Sequence, residues 1–279
     1  MRQILVTGSS GLLAPYLINV AKSYGTVITT SRYDGDELCD LSSESAVAEL
    51  LSRVRPDWVV HAAGMTHIEL CEQYPEQADI ANHKTTLNIS KHLNENSRLV
   101  YISTDQVYPN TPGPHRESSI GPVNQYGLSK LLGEEAALKH SKSTIFRTNL
   151  FGESMTEGRS SLDDFIVGKL LKKESITLFS DVLFSPLHMT TLSHFVFEVL
   201  ERKIIGTYNI GSRSGMSKAE FALSVAKHLK LSTESATIGS SDAISGRVLR
   251  PHDMRMNVSR IEKEMGISMP ELEYEIRKI

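Results

Sequence analysis

A doubly wound parallel α/β sheet carrying a smaller C-terminal lobe is the fold class this sequence predicts, on three observations. Short apolar runs alternate with segments of helical period as far as Arg147; a glycine-rich turn separates the first run from the first helix; and the regular alternation loosens afterwards. Strands buried on both faces read as continuous apolar runs, and their alternation with helices implies parallel pairing. Ile4-Leu5-Val6 is the first strand, and Leu12 to Tyr24 the first helix, with Leu13, Leu17, Val20 and Ala21 on one face. Val27 to Thr30 is the second strand. Ala46, Val47, Leu50, Leu51 and Val54 mark a helix that Pro56 ends. Trp58 to His61 and Leu99 to Ser103 are the third and fourth strands, with a polar helical stretch from Glu72 to Asn94 between them. A helix from Asn124 to His140 leads to a strand at Thr144 to Arg147.

Beyond Arg147, Thr148 to Leu187 reads as loop-rich, with one helix at Leu162 to Leu171. A helix at Leu192 to Glu201, a strand at Thr207 to Ile210, a helix at Lys218 to Leu229 and a short helix near Val258 follow. The expected division therefore gives residues 1–149, joined by about 188–212, to the sheet domain, and 150–187 with 213–279 to the smaller lobe. That lobe is expected over the carboxyl ends of the strands, where ligands of open α/β sheets sit.

Composition excludes several function classes. Thirty basic against 33 acidic side chains give a net charge of −3, which offers no bulk attraction to nucleic acid or to an anionic membrane. Cys39 and Cys71 are too few for a disulfide scaffold, which points to a reducing compartment, the cytoplasm. Met1 to Val6 runs straight into a strand pattern and leaves no expected signal peptide. No metal-ligand spacing stands out.

The turn after the first strand is Thr7-Gly8-Ser9-Ser10-Gly11-Leu12-Leu13-Ala14. Gly8 suits a tight turn, Gly11 a close approach to a pyrophosphate, and Ala14 close helix–strand packing, while the helix directs free N–H groups at the anion. The pattern predicts a Rossmann-type dinucleotide site on Gly8, Ser10, Gly11, Leu12 and Leu13. The second strand ends Thr30-Ser31-Arg32 where an NAD site would place a carboxylate. A guanidinium there suits a 2′-phosphate, so NADP(H) is the expected cofactor.

Tyr126 and Lys130 stand at i and i+4, which puts them on one helix face. An ammonium beside a phenol favours the ionised phenol, so Lys130 is expected to lower the Tyr126 pKa and to hold the nicotinamide ribose. Thr104, at the end of the fourth strand, is placed to orient a substrate carbonyl. These three form the candidate catalytic set.

On the glycine loop, the strand-end hydroxyl and the Tyr-x-x-x-Lys pair, the chain resembles the extended short-chain dehydrogenase/reductases, and within them the dTDP-4-dehydrorhamnose reductase (sugar-nucleotide-binding) family. Cys39-Asp40-Leu41, Arg55 to Gly64, Cys71-Glu72, Pro75 to Ala78, Asn82, Ser103 to Tyr108, Phe184 to His188, Gly206 to Gly211 and Arg250-Pro251 carry the similarity. The resemblance implies adenine near Asp40 and Leu41, and further cofactor contacts from Ala62, Ala63, Gly64, Asn82, Ser103, Tyr126 and Lys130. It implies that Tyr126 protonates the C4 oxygen of a nucleotide-activated 4-keto-6-deoxy sugar as NADPH delivers hydride. Met65, His67, Asp105, Gln106, Asn149, Leu150 and Arg250 are the implied substrate contacts. Some relatives dimerise, so a homodimer is among the implied assemblies.

Two departures qualify the likeness. Gln106 replaces the carboxylate of sugar-nucleotide dehydratases, and an amide cannot abstract a proton. Leu150 stands where rhamnose-pathway reductases commonly have Trp, which removes a flat apolar wall and leaves the sugar open. Asn149 and Gly152 also resemble the epimerases of the superfamily. A sugar-nucleotide epimerase is therefore one alternative, and a non-catalytic nucleotide-binding subunit, like the methionine adenosyltransferase regulatory β subunit, is the other.

Overall fold

A computed structural model describes residues 1–279. In chain order it contains β1 (Arg2–Thr7), α1 (Ala14–Ala21), β2 (Gly25–Ser31), β3 (Glu37–Leu38), α2 (Glu44–Val54), β4 (Trp58–His61), α3 (Ile68–Gln73) and α4 (Pro75–Asp79). A π-helical turn over Ile80–Lys84 runs into α5 (Thr85–His92), then β5 (Arg98–Ile102), α6 (Gln125–Ala137), β6 (Ser143–Thr148), β7 (Leu150–Phe151), α7 (Leu162–Leu171) and β8 (Ile176–Phe179). The chain continues through β9 (Leu183–Phe184), β10 (Leu187–His188), α8 (Met189–Glu201), β11 (Gly206–Ile210), β12 (Met216–Ser217), α9 (Lys218–His228), β13 (Ala236–Gly239), α10 (Ser259–Met265) and α11 (Leu272–Ile276).

Seven strands form one sheet in the order β11-β6-β5-β4-β1-β2-β3, and every neighbouring pair is parallel. Chain order reverses at β1, which lies between β2 and β4, and this switch point opens a crevice beyond the strand ends. Alternation along β1 explains the two faces. Ile4 and Val6 join Leu17, Trp58, Val100, Phe146 and Val196 under α1 and α8, while Leu5 joins Val47, Leu50, Ile89, Leu99 and Tyr101 under α2 and α5. A third apolar cluster, including Phe151, Ile166, Leu178, Phe184, Phe221 and Leu272, fills the part of the chain built from β7 to β9, α7, α9 and α11.

Several elements differ from expectation. The first helix begins at Ala14 rather than Leu12 and ends at Ala21, because Pro15 lacks an N–H and fits only the first helical turn. The polar stretch from Glu72 is broken by Pro75 and by the π turn. The supposed loop from Thr148 to Leu187 holds four short strands, two of whose partners, β12 and β13, lie far along the chain. No helix is long and apolar enough to cross a membrane.

Candidate active site

Beyond the ends of β1 and β4 the backbone forms a cradle. Gly8 has φ +77°, and a Cβ built on it would stand 2.8 Å from the Cα and N of Ala63, so the glycine loop rests directly on the turn after β4. The Gly8 N–H bonds to the Thr30 carbonyl and the Gly11 N–H to the Gly8 carbonyl, each at 2.9 Å. The N–H groups of Ser10, Leu12 and Leu13 have no acceptor within the protein, and they stand at the start of α1. Free donors backed by a helix dipole are what an anion requires. From the other side Thr156 donates its hydroxyl to the Gly11 carbonyl at 3.2 Å, and Tyr16 donates to the Glu153 carbonyl at 2.7 Å. Arg32 is exposed at the end of β2, its guanidinium 5.4 Å from the Tyr33 ring. Nearby, the N–H and hydroxyl of Ser42, helped by Arg32, hold the Asp40 carboxyl below its usual range. Leu41, expected near adenine, has its side chain in the core, and its carbonyl accepts from Asn88 at 2.9 Å.

His61 organises the turn that carries Ala62, Ala63 and Gly64. Thr86 donates its hydroxyl to the Asn82 carbonyl at 2.7 Å, so it accepts from His61 Nε2–H at 3.1 Å; the Thr7 hydroxyl then donates to Nδ1 at 2.7 Å and accepts from the Ala63 N–H at 3.3 Å. This chain fixes one neutral tautomer. Burial, with a lesser effect of Lys130, brings the His61 pKa down to about 3. Asn82, expected at the cofactor, is instead fully buried. Its amide oxygen accepts from the Met65 N–H at 2.9 Å, and its nitrogen donates at 2.9 Å to both the Met65 carbonyl and Ser129. A Cβ on Gly64 would lie 2.5 Å from that amide oxygen. Asn82 therefore shapes the loop without facing the cradle, and the π turn sets its position.

The catalytic candidates converge at the start of α6. Asn124 caps that helix by accepting from the Gly127 N–H at 2.8 Å, and the Glu72 carboxylate accepts from the Gln125 N–H at 3.0 Å. Tyr126, Lys130 and Thr104 are all buried. The Thr104 hydroxyl donates to the Asp105 carboxylate at 3.3 Å and accepts from the Gln106 N–H at 3.2 Å, beside the Tyr126 phenol. Lys130 donates to the Ile102 carbonyl at 2.6 Å while its Nζ lies 4.1 Å from the Tyr101 ring centre. Gly64 faces the same ammonium, whose Nζ would stand 3.9 Å from a Cβ there.

Electrostatics correct one expectation. Burial pushes the Tyr126 phenol well above its usual pKa, opposed by the neighbouring Thr104 hydroxyl; Asp105 and Cys71 raise it further. Lys130 does not depress it, because its ammonium is directed to the strand end and is itself drawn down to about 7 by burial. The phenol is therefore protonated at neutral pH, the form a proton donor needs. Ser103 also departs from expectation: its hydroxyl donates to Glu134 rather than standing free for a cofactor.

The expected substrate contacts separate into groups. Met65 packs with Cys71, Ala78 and Tyr126. Asp105 is buried and accepts from Asn149 at 2.6 Å; burial lifts its pKa to about 6 against that hydrogen bond and the charge of Lys218. Leu150 is half-buried against the sheet core. Gln106 donates to the Met254 sulfur at 2.6 Å and accepts from Asn124 at 3.2 Å, so its amide braces loops from several elements. His67 does not enter the site: its side chain is 63% exposed and caps α3 through the Leu70 N–H at 3.4 Å. Arg250 pairs with Glu69, leaving its buried Nε without a partner.

Two basic residues missed in the sequence join Arg250. Lys218 opens α9, and its pKa falls to about 8 through burial and then through Arg250 and Arg247, while Asp105 acts in the opposite sense. The only signal was the Arg247–Arg250 spacing in a tail of weak pattern. Asp181, Asp242 and His252 also come together, with possible ligand atoms within 4.8 Å of one another, although their spacing suggested nothing. Asp181 accepts from Ser240 and Ser241, and His252 bonds Asp242 at 2.9 Å, so these groups pin a turn.

The model of the RmlD substrate binding domain family matches residues 1–279. The chain belongs to that family. The dTDP-4-dehydrorhamnose reductase of Escherichia coli is 24% identical, with 99% of this chain and 96% of the relative covered. Methionine adenosyltransferase 2 subunit beta of Xenopus laevis is 27% identical over 95% of this chain and 83% of the relative. Among solved structures, dTDP-4-dehydrorhamnose reductase from Bacillus anthracis str. Ames, in complex with NADP, superposes with a TM-score of 0.91 at 21% identity, covering 99% of this chain and 98% of that one. At that identity the likeness bears on the fold, and it agrees with the seven-stranded parallel sheet of this RmlD family member.

Proposed function

We propose that the protein is an NADPH-dependent reductase of the C4 keto group of a nucleotide-activated 4-keto-6-deoxy sugar, working in the cytoplasm. The observation that carries the reading is the meeting of Thr104, a protonated Tyr126 and Lys130 beside the glycine cradle at the sheet's switch point. The cradle suits a dinucleotide: free N–H groups at Ser10, Leu12 and Leu13, no room for side chains at Gly8 and Gly64, and Arg32 at the end of β2. When bound there, NADPH supplies the hydride.

The chain's own residues do the rest. Thr104 donates a hydrogen bond that orients the substrate carbonyl, and Tyr126 gives its phenolic proton to the same oxygen. Lys130 holds ribose hydroxyls. Lys218, Arg247 and Arg250 draw a nucleotide diphosphate toward Asp105, with Arg250 exchanging Glu69 for phosphate oxygens. The family resemblance to dTDP-4-dehydrorhamnose reductases supports the sugar class.

A coupled screen of 4-keto-6-deoxy sugar nucleotides with NADPH and NADH, followed by product NMR, tests the reading. One NADPH oxidised per sugar reduced is expected. Turnover of the sugar without NADPH consumption would indicate an epimerase. Binding of NADPH without any turnover would favour a nucleotide-binding subunit, the reading to which the likeness to methionine adenosyltransferase 2 subunit beta lends support.

A further inference from the structure

We propose that Glu134 is a positioning residue of this site, setting from behind both the charge of Lys130 and the placement of Thr104. The inference rests on the roles given above to those two residues. Tyr126, Lys130 and Glu134 fall on one stripe of α6, each four residues after the last. The Glu134 carboxylate is buried and accepts from Arg147 Nε at 3.0 Å, from Arg147 Nη2 at 2.7 Å and from the Ser103 hydroxyl. Lys130 donates to the carbonyl of Ile102. The two side chains thus grip consecutive residues at the end of β5, and Thr104 is the next residue of the chain.

Stability alone does not account for a buried pair in this place, since apolar residues of similar volume often serve as well. The surroundings of Lys130 show what the carboxylate adds. Facing the ammonium are the Tyr101 ring on β5, His61 on β4 and Cys71 on α3, with Arg147 of β6 behind Glu134. His61 is neutral, and burial holds the Cys71 thiol up at about 11. Glu134 is the anion among these groups. Burial draws the Lys130 pKa down to about 7, and Glu134 is the first of the charges that pull it back. Without that carboxylate the ammonium fraction would fall further at any given pH, and with it the capacity of Lys130 to hold hydroxyl oxygens as a cation.

The test follows Lys130 directly, in cofactor-free protein carrying ¹³C,¹⁵N-labelled lysine, with the Lys130 resonances assigned through Lys130→Arg. Its titration midpoint should drop by about one pH unit or more in Glu134→Gln, as expected for losing a nearby opposite charge, and return close to the parent value in Glu134→Asp. Glu134→Gln strands the Arg147 guanidinium, so the double variant Glu134→Gln/Arg147→Met removes both charges. Its Lys130 midpoint should fall as well, by less than in Glu134→Gln, because the lost cation offsets part of the lost anion. The alkaline limit of NADPH binding should move down in step. An unchanged Lys130 midpoint in both Glu134→Gln and the double variant would overturn the proposal. Absence of sugar-nucleotide reduction by the parent protein would instead remove the proposed function, leaving the titration result to stand by itself.

Discussion

Tyr126 and Lys130 show which facts about single residues a sequence carries. Helical period fixes that the pair shares a face, whereas the direction of the ammonium depends on the end of β5, which brings the Ile102 carbonyl within 2.6 Å. Asn82, Ser103 and Gln106 were expected to meet ligands, yet each is committed to partners inside the protein. Residue type announces hydrogen-bonding capacity and leaves the partner unnamed. Arg32 gives a prediction that turns on one charge: Arg32→Ala should weaken NADPH binding and leave NADH binding unchanged, measured by fluorescence titration of each. His61 gives another. Its folded pKa is depressed to about 3 from 6.5, so the unfolded chain holds more protons in that interval, and the stability His61 contributes is complete above pH 6.5 and lost as pH falls through the interval. Asp105, raised from 3.8 to about 6, acts in the opposite sense there, which makes a variant comparison necessary. His61→Gln does not titrate, so its deficit in urea denaturation relative to the parent should shrink from about pH 7 to about pH 4. A constant deficit would show that the imidazole is not held neutral by the fold.

Elements were legible where a long periodic segment met its own caps. The helix at Leu162 to Leu171 matches α7, with its Ser161–Asp164 capping box, and the strands of the sheet lie within a few residues of their apolar runs. The two-residue strands were not legible, because each exists only through a distant partner, as β9 does through β12. The π turn was hidden for a related reason: its extra residue per turn follows from contacts with Met65 and Ser129, which lie on other elements. The loop held by that turn yields a prediction at this scale. Gly64→Ala places a methyl against the buried Asn82 amide and should weaken NADPH binding and also lower stability, read by titration calorimetry beside urea denaturation. Unchanged NADPH affinity would separate the turn after β4 from the cofactor cradle.

For the whole molecule, the parallel sheet was foreseeable from the order of strands and helices, whereas the pairing of β11 with β6 is set by the fold and not by the local pattern. The meeting of Lys218, Arg247 and Arg250 was not, since tertiary packing alone joins the start of α9 to the segment before α10. Their proximity predicts that Lys218→Met raises the KM for a sugar nucleotide about tenfold, the loss of a charged hydrogen bond, with a smaller penalty at high salt. NADPH binding should be unaffected, and a uniform loss of both would point to misfolding of the lobe. The central claim is that a protonated phenol beside a nicotinamide cradle performs proton transfer in a reduction. Single-turnover oxidation of NADPH by a 4-keto-6-deoxy sugar nucleotide, compared between the parent protein and Tyr126→Phe at matched NADPH occupancy, tests it most directly. The account predicts stoichiometric oxidation by the parent and a rate about 10²–10⁴-fold lower in the variant; equal rates in the two proteins would contradict it.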